Sequence, residues 1–507
     1  MKPSHRVLVN TIAQNVRTII NIVFSLYTIR IILEALGHED YGIYNLIAGV
    51  VAMLAFITNA LITTTQRFLS YNQGKNDILE IKRIFVTSLI IHIIISLILV
   101  VVLLLFTNLL FDTVLDIPSE KIKSAVFLYY TTIIMLCFSF ISAPFRALLI
   151  SHENIIYVSF VDLVDVTLKV IVALILTFVQ SRKLELYGLL LTLVTFFDFV
   201  SFTVYSFFKY PECVFPQFRY YRKQYVKSMF AFAGWTIYST GCIVGRHQGL
   251  AILINRYLGA IINAAYGISF QMQSCLVNFS NAIQNSINPQ LMQAEGVGER
   301  RKMLSLAIIS CKASFFIVSV IGIPCLFVME PLLGFWLKDY PPSTVIFCRM
   351  TLIALIIDMT TTGLGQANQA VGNIGKFMVV VYSPKILSLV AIGLFFKFQF
   401  YLVWIAIVYI LFEGVSAINR VIVSRSSCNL NVHNFVCNVL LRSSLTVILY
   451  CIIVYVLTKC IVFQNSFFVI IIVSAFIYVV LFYLIGLDKK EKKQIINLFK
   501  SFKYERC

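Results

Sequence analysis

The sequence predicts an all-α integral membrane protein with about fourteen transmembrane helices, arranged as two six-helix bundles followed by two further helices. Three observations lead there. Hydrophobic residues make up 59% of the chain and charged residues 13%, with a mean hydropathy of +0.89, far from the balance of a soluble domain. Apolar runs of about 20 residues, enough to cross a hydrocarbon core as a helix, recur along all 507 residues. The opening stretch is an apolar helix carrying Arg17 and Arg30, then a polar turn from Gly37 to Asp40, then Tyr41-Gly42-Ile43. It returns about 225 residues later with Arg246, Arg256 and Tyr266-Gly267-Ile268.

The first bundle takes residues 1–208, with spans near 10–33, 43–65, 84–107, 124–150, 155–179 and 184–207. The first run is too long, and with Gln14, Asn15, Arg17 and Asn21 too polar, for a cleaved signal peptide, so it is expected to persist as a helix. A cytoplasmic linker, 209–229, is too short to hold a folded domain. The second bundle takes 230–425, with spans near 230–255, 264–290, 304–329, 343–368, 374–397 and 400–424. Helices 13 and 14 occupy 426–487. The tail, 488–507, mixes Lys489, Lys490, Lys492, Lys493, Lys500 and Lys503 with Ile495, Ile496, Leu498, Phe499 and Phe502. It reads as an amphipathic helix on an anionic leaflet or, equally, as a plain topology signal.

Most of the 41 Lys and Arg fall on one side when the N-terminus is placed inside, among them Lys82, Arg83, Arg219, Arg222, Lys223, Lys227, Arg300, Arg301 and Lys302. Both termini are therefore expected in the cytoplasm. This asymmetry accounts for most of the net charge of +18 without a nucleic-acid partner. The twelve cysteines form no C-x-x-C pair and read as core filler.

Further anchors support the repeat. Phe197-Asp198-Phe199-Val200-Ser201 matches Phe412-Glu413-Gly414-Val415-Ser416, Lys82-Arg83 matches Arg301-Lys302, and His92 falls opposite Lys312. Six spans separate the copies, an even number, so the two bundles share one orientation and are expected to be related by a pseudo-two-fold axis along the membrane normal. Bundles so related usually enclose a central cavity and work by alternating access.

The Leu36-Gly37-His38-Glu39-Asp40-Tyr41-Gly42 motif, the Ala143-Pro144-Phe145-Arg146-Ala147-Leu148-Leu149 stretch and the two-bundle layout resemble the polysaccharide-transporter (O-antigen flippase) family. That family belongs to the multidrug/oligosaccharidyl-lipid/polysaccharide (MOP) exporter superfamily. The likeness runs from about Arg6 to Arg425, and the second copy departs from it in the longer, nonacidic spacer between Leu258-Gly259 and Tyr266-Gly267. The resemblance implies a bacterial inner-membrane flippase for an undecaprenyl-pyrophosphate-linked oligosaccharide (an O-antigen, capsule or exopolysaccharide unit) of lipopolysaccharide or related polysaccharide biosynthesis. Its partners would be that lipid-linked oligosaccharide, membrane lipids and other polysaccharide-assembly proteins.

Charges within spans are costly, about 2.5–3.5 kcal/mol each on insertion scales, and so mark candidate sites. Arg17, Asp162, Asp165, Lys169, Asp198, Arg246, Lys312, Asp358, Lys385 and Glu413 all lie within the predicted spans. In one reading Arg17 and Arg246, helped by Lys312 and Lys385, hold the pyrophosphate through charge-assisted hydrogen bonds, with Arg30 and Arg256 at the outer ends. In the other, these cations pair with Asp198, Glu413 or Asp165 or snorkel to the interface. Asp198, Glu413 and Asp165 could equally couple transport to a proton or sodium gradient; no other cofactor is expected. Gly241, Gly245 and Gly249, four apart, suit close helix packing or a hinge.

Two rivals remain. A cation-coupled multidrug exporter of the same superfamily would be expected to have an acidic, aromatic cavity. A membrane enzyme of polysaccharide assembly would need a substantial catalytic loop, and there is none; nor is there an H-E-x-x-H, and Gly375-Lys376-Phe377 fails the P-loop pattern.

Overall fold

The computed structural model describes residues 3–52, 54–111, 117–337, 339–398, 402–459, 467–489 and 491–493. Most of the predicted amphipathic tail, from Phe499 to Lys503 included, lies outside them. The main helices are α1 (Pro3–Ala52), α2 (Ala55–Gly74), α3 (Ile78–Leu105), α4 (Ile122–Ser151), α5 (Ile155–Phe178), α6 (Lys183–Lys209), α7 (Lys223–Leu258) and α8 (Ala260–Val297). There follow α9 (Arg300–Phe327), the short α10 (Met329–Leu337), α11 (Thr344–Met359), α12 (Thr362–Val371), α13 (Gly375–Lys397), α14 (Leu402–Ser427), α15 (Arg442–Lys459) and α16 (Phe467–Leu481). The protein is a multi-pass membrane protein.

Among the described residues nine helices are long and apolar enough to cross a membrane, or ten if α11 and α12, bent by 46° at their break, make one broken span. The other four long helices are more polar for visible reasons. α5 carries Asp162, Asp165 and Lys169, α7 carries Arg246 and His247, and α2 and α8 are rich in Thr, Asn and Gln. Counted together they restore the fourteen predicted spans.

Gly37 is not the start of a polar turn but a single break in α1. Its φ of +79° is left-handed, and helix resumes at once through His38–Asp40 to Ala52. Gly259, with φ +88°, makes the same break between α7 and α8. The repeat follows from these marks. Ile78 and Arg300, which open α3 and α9, are 222 residues apart, as are Ile122 and Thr344, which open α4 and α11. Ile155 and Gly375 are 220 apart, and Lys183 and Leu402 are 219 apart. This register is tighter than the drift from 225 to 215 read from the sequence, because helix starts are fixed by turns whereas single charged residues slide by a helical turn. Arg17 and Arg246 then stand seven residues from equivalence, about two turns rather than one.

The chain divides into two compact units, Val9–Ile237 and Tyr238–Cys507 together with Met1–Leu8. The sequence suggested a linker over 209–229, yet the start of α7 belongs to the N-terminal unit. Tyr225 hydrogen-bonds Glu80, the Arg222 amide donates to Thr87 Oγ1 at 3.3 Å, and Phe232 packs edge-on against Phe68. Within that unit Ile47, Leu61, Leu128, Tyr129 and Phe140 form one core, and Ile32, Ala173, Leu176 and Tyr187 another. Lys183 donates to the Ala35 carbonyl (2.7 Å) beside the Gly37 break, satisfying an acceptor near the helix interruption.

In the C-terminal unit α15 and α16 are not appendages. Tyr450, Val454, Tyr478 and Phe482 share a core with Phe315 and Val318 of α9, and Phe316 stacks on Tyr478 at 5.6 Å. Their burial against α9 ties these last helices to the unit.

Candidate functional site

Two ionic clusters hold six of the nine charged residues predicted for the site, one half-buried in the N-terminal unit and one buried in the C-terminal unit. In the N-terminal unit the Asp162 carboxylate of α5 takes both Arg17 of α1 and Arg146 of α4. Arg146 binds it bidentately, Nη1 to Oδ1 at 2.9 Å and Nη2 to Oδ2 at 2.8 Å. One turn along α5, Lys169 Nζ reaches Asp165 Oδ2 at 2.8 Å. The carboxyl of Asp198, on α6, faces that of Asp165. Asp198 Oδ1 is buried and has no hydrogen-bond partner among the described residues.

In the C-terminal unit Glu413 of α14 sits between two cations, Arg246 of α7 (2.5 Å) and Lys385 of α13. Lys385 also stands 3.8 Å from Asp358, which Arg420 of α14 holds at 2.9 Å. Arg420 further binds the Asp358 carbonyl (3.2 Å) and Thr361 Oγ1 (3.0 Å) at the α11–α12 break. The Arg246 guanidinium lies over the Tyr409 ring, 4.3 Å from its centroid. Arg246, Lys385, Glu413 and Arg420 are each at most 4% exposed, so each charge depends on its partners rather than on water.

The repeat register places the two clusters in correspondence. Asp165 aligns with Lys385, and Asp198 falls one turn from the place of Glu413. Where the C-terminal unit sets Lys385 against Glu413, the N-terminal unit has a carboxyl pair, with Lys169 on one member of it.

The remaining candidates lie elsewhere. Lys312 is buried and paired with Glu491 near the C-terminus. Arg30 is exposed and pairs with Glu34 on its own helix at 3.1 Å, and Arg256 is exposed near the end of α7. Of the three glycines, a Cβ on Gly249 would come within 2.6 Å of Leu389 Cδ1, and one on Gly245 within 3.1 Å of Ile386 Cδ1. Nothing approaches Gly241, and α7 is unbroken across all three. Gly249→Ala requires the Leu389 side chain of α13 to move aside and is therefore expected to lower stability by at most about 1 kcal/mol. Gly241→Ala should be neutral or stabilising by up to about 1 kcal/mol. Thermal unfolding of the two variants in detergent separates packing from hinge, since a hinge would make both variants slow in transport yet stable.

Sequence reasoning missed Arg146 and Arg420 as members of these clusters. Arg146 stood inside the Ala143–Leu149 motif, and Arg420 lies two turns after Glu413 within the same predicted span. It also missed the face of α8 formed by Gln271, Ser274, Asn278, Asn281, Asn285 and Asn288, whose spacing of three and four keeps them on one side. Gln271, Asn278, Asn281 and Asn285 are exposed, and buried carboxamide oxygens of Gln273 and Asn288 lack partners among the described residues. Such a face is costly in hydrocarbon and suits water or a polar ligand.

No protein-family model matches the sequence, and no curated protein matches it. Solved structures do. A MATE transporter in its bent conformation superimposes with a TM-score of 0.75 at 12% identity, covering 86% of this chain and 96% of its own. An outward-facing multidrug resistance MATE family transporter of the MOP superfamily gives 0.72 at 13% identity, covering 86% and 97%. The fold is that of the MATE transporters of the MOP superfamily. The same fold is found in a MOP superfamily transporter from Pyrococcus furiosus (TM-score 0.70, 12% identity, 84% and 96% covered), for which reversed binding-pocket polarity is described as suggesting a different function. At these identities the likeness defines the fold alone.

Proposed function

We propose that this protein is an ion-coupled secondary exporter working by alternating access, with the Asp165–Asp198 pair as the site of the driving proton or cation. One observation carries the coupling role: the N-terminal unit presents two facing carboxyls, Asp165 and Asp198, with the single ammonium of Lys169 on Asp165, where the C-terminal unit has Lys385 against Glu413. Lys169 is engaged by Asp165, so the second carboxyl of this half-buried pair is left to be compensated by a proton or a cation. The place of Lys385 at the position equivalent to Asp165 in the repeat supports a positive charge there.

Export of small organic molecules is the first reading for the cargo. One neighbour of this fold is described as a multidrug resistance transporter, which supports the cation-coupled exporter over the flippase expected from sequence motifs. The clusters support it too. Arg17 and Arg246 argued for an anionic cargo while they counted as free cations, but both are engaged by carboxylates.

A second reading, the lipid-linked oligosaccharide, rests on the amide face of α8. Carboxamides offer a donor and an acceptor together, as sugar hydroxyls require, and the C-terminal cluster carries three cations (Arg246, Lys385, Arg420) against two carboxylates (Glu413, Asp358). Purified protein in proteoliposomes distinguishes the two. The first reading expects gradient-dependent movement of a fluorescent organic cation such as ethidium. Flipping of a fluorescent polyprenyl-pyrophosphate saccharide with no movement of ethidium would replace it by the second.

A further inference from the structure

The chain just beyond α16 returns to the bundle and makes a contact that neither ionic cluster nor the cargo readings use. Asp488 and Glu491 cap each other reciprocally: the Asp488 amide donates to Glu491 Oε2 at 2.7 Å and the Glu491 amide to Asp488 Oδ1 at 2.8 Å. This fixes a helical turn in which the Lys492 amide donates to the Asp488 carbonyl at 3.0 Å. The Lys492 side chain turns back to the Leu484 carbonyl (2.8 Å), its ammonium 5.5 Å from the Tyr483 ring centroid. So positioned, Glu491 receives Lys312 Nζ on both carboxylate oxygens, at 2.8 and 2.7 Å. Lys312 is 3% exposed, and among the described residues Glu491 is its one salt-bridge partner. A buried ammonium on α9 thus depends on a carboxylate carried by the last described turn of the chain.

What lies next to Lys312 gives the contact its meaning. Cys311 is fully buried and meets the start of α12, where a Cβ on Gly363 would come within 3.0 Å of its Sγ. A Cβ on Gly363 would come within 2.2 Å of the Ala307 carbonyl oxygen and 3.0 Å of the Cys311 nitrogen, so α9 and α12 touch backbone to backbone there. Gly363 is two residues beyond Thr361, the residue that Arg420 holds at the α11–α12 break. The break is therefore braced on one side by Arg420 and on the other by the stretch of α9 that Glu491 holds.

We propose that the turn carrying Asp488, Glu491 and Lys492 forms a latch, in which docking of Glu491 on Lys312 stiffens α9 against α12 and so restrains the broken span α11–α12 during the transport cycle. Undocking frees the break and speeds transport. The regulatory part rests on the transport reading above, whereas the latch itself does not.

The test uses the full chain in detergent and in proteoliposomes. Glu491→Gln removes the charge at a partly exposed position. The double variant Lys312→Met/Glu491→Met removes the pair without stranding the buried ammonium, and the exchange Lys312→Glu/Glu491→Lys restores it. Limited trypsin digestion reads latch opening as cleavage after Lys492, and hydrogen exchange reads mobility of residues 358–371; neither needs a cargo. Glu491→Gln and the double variant are expected to raise cleavage after Lys492 by roughly tenfold or more and to speed exchange over 358–371; the exchanged pair, which itself adds a trypsin site at 491, is read by hydrogen exchange alone and should return it toward the parent. Initial transport rates should rise with them. Unchanged cleavage in both opened variants would overturn the latch. Faster cleavage without faster exchange over 358–371 would overturn its link to the break. Faster cleavage and exchange with an unchanged or lower transport rate would overturn the regulatory role, and a parent protein that moves no tested cargo would count against the transport reading alone.

Discussion

Glu413→Gln is expected to destabilise the C-terminal unit by about 3–5 kcal/mol and to abolish transport. Glu413 is 1% exposed and holds two cations, Arg246 and Lys385, which water does not reach. Replacing its charge leaves both ammonium and guanidinium with reduced compensation: Lys385 keeps Asp358 at 3.8 Å, and Arg246 keeps the Tyr409 ring. Adding Lys385→Met should recover part of the loss, because one of the stranded cations goes with it. The double-mutant cycle, read by thermal unfolding in detergent, should then give a coupling of about 0.5–3 kcal/mol between the two positions. Equal and additive losses would mean that the three charges do not act as one cluster.

The second large effect is expected at the other cluster and has the opposite character. Asp198→Asn should leave the fold nearly intact, because Asp198 Oδ1 has no hydrogen-bond partner to lose among the described residues and an asparagine amide can still donate to the facing Asp165 carboxyl. Gradient-driven transport should nonetheless fall roughly tenfold or more, the scale of coupling between an ion site and a conformational cycle. Asp165→Asn should do the same at a greater cost in stability, since Asp165 also binds Lys169. Asp162→Asn should instead behave as a structural lesion, releasing both Arg17 and Arg146. Protein yield, melting temperature and transport measured together on the three variants separate these roles: a stable Asp198→Asn protein with undiminished gradient dependence would remove the pair from the coupling step.

The fold was largely legible because bilayer thickness sets the length of each apolar run, and that length survives in sequence whatever the side chains do. The repeat was legible for a similar reason: Gly37 and Gly259 each interrupt a helix, and an interruption needing positive φ leaves a glycine behind. Partnership was less legible. Arg17 and Arg246 looked like two halves of one anion site, yet each is engaged inside its own unit by a carboxylate on a distant helix, 145 and 167 residues along the chain. Composition announces that a buried charge needs a partner without saying which, and Lys312 illustrates the difficulty most clearly. Its partner Glu491 is 179 residues away, in a tail whose lysines dominated its reading as a membrane-surface helix. The amide face of α8 was overlooked because neutral side chains do not stand out among apolar ones as charges do, though their spacing of three and four was already visible.

The central claim is that the carboxyl pair of the N-terminal unit couples transport to an ion. Purified protein in proteoliposomes, loaded with an organic-cation reporter and challenged with an imposed pH or sodium gradient, tests it most directly. Transport should appear when either the proton or the sodium gradient is imposed, collapse when that gradient is dissipated, and lose its gradient dependence in Asp198→Asn. Transport that proceeds at the same rate with and without both gradients would contradict the claim.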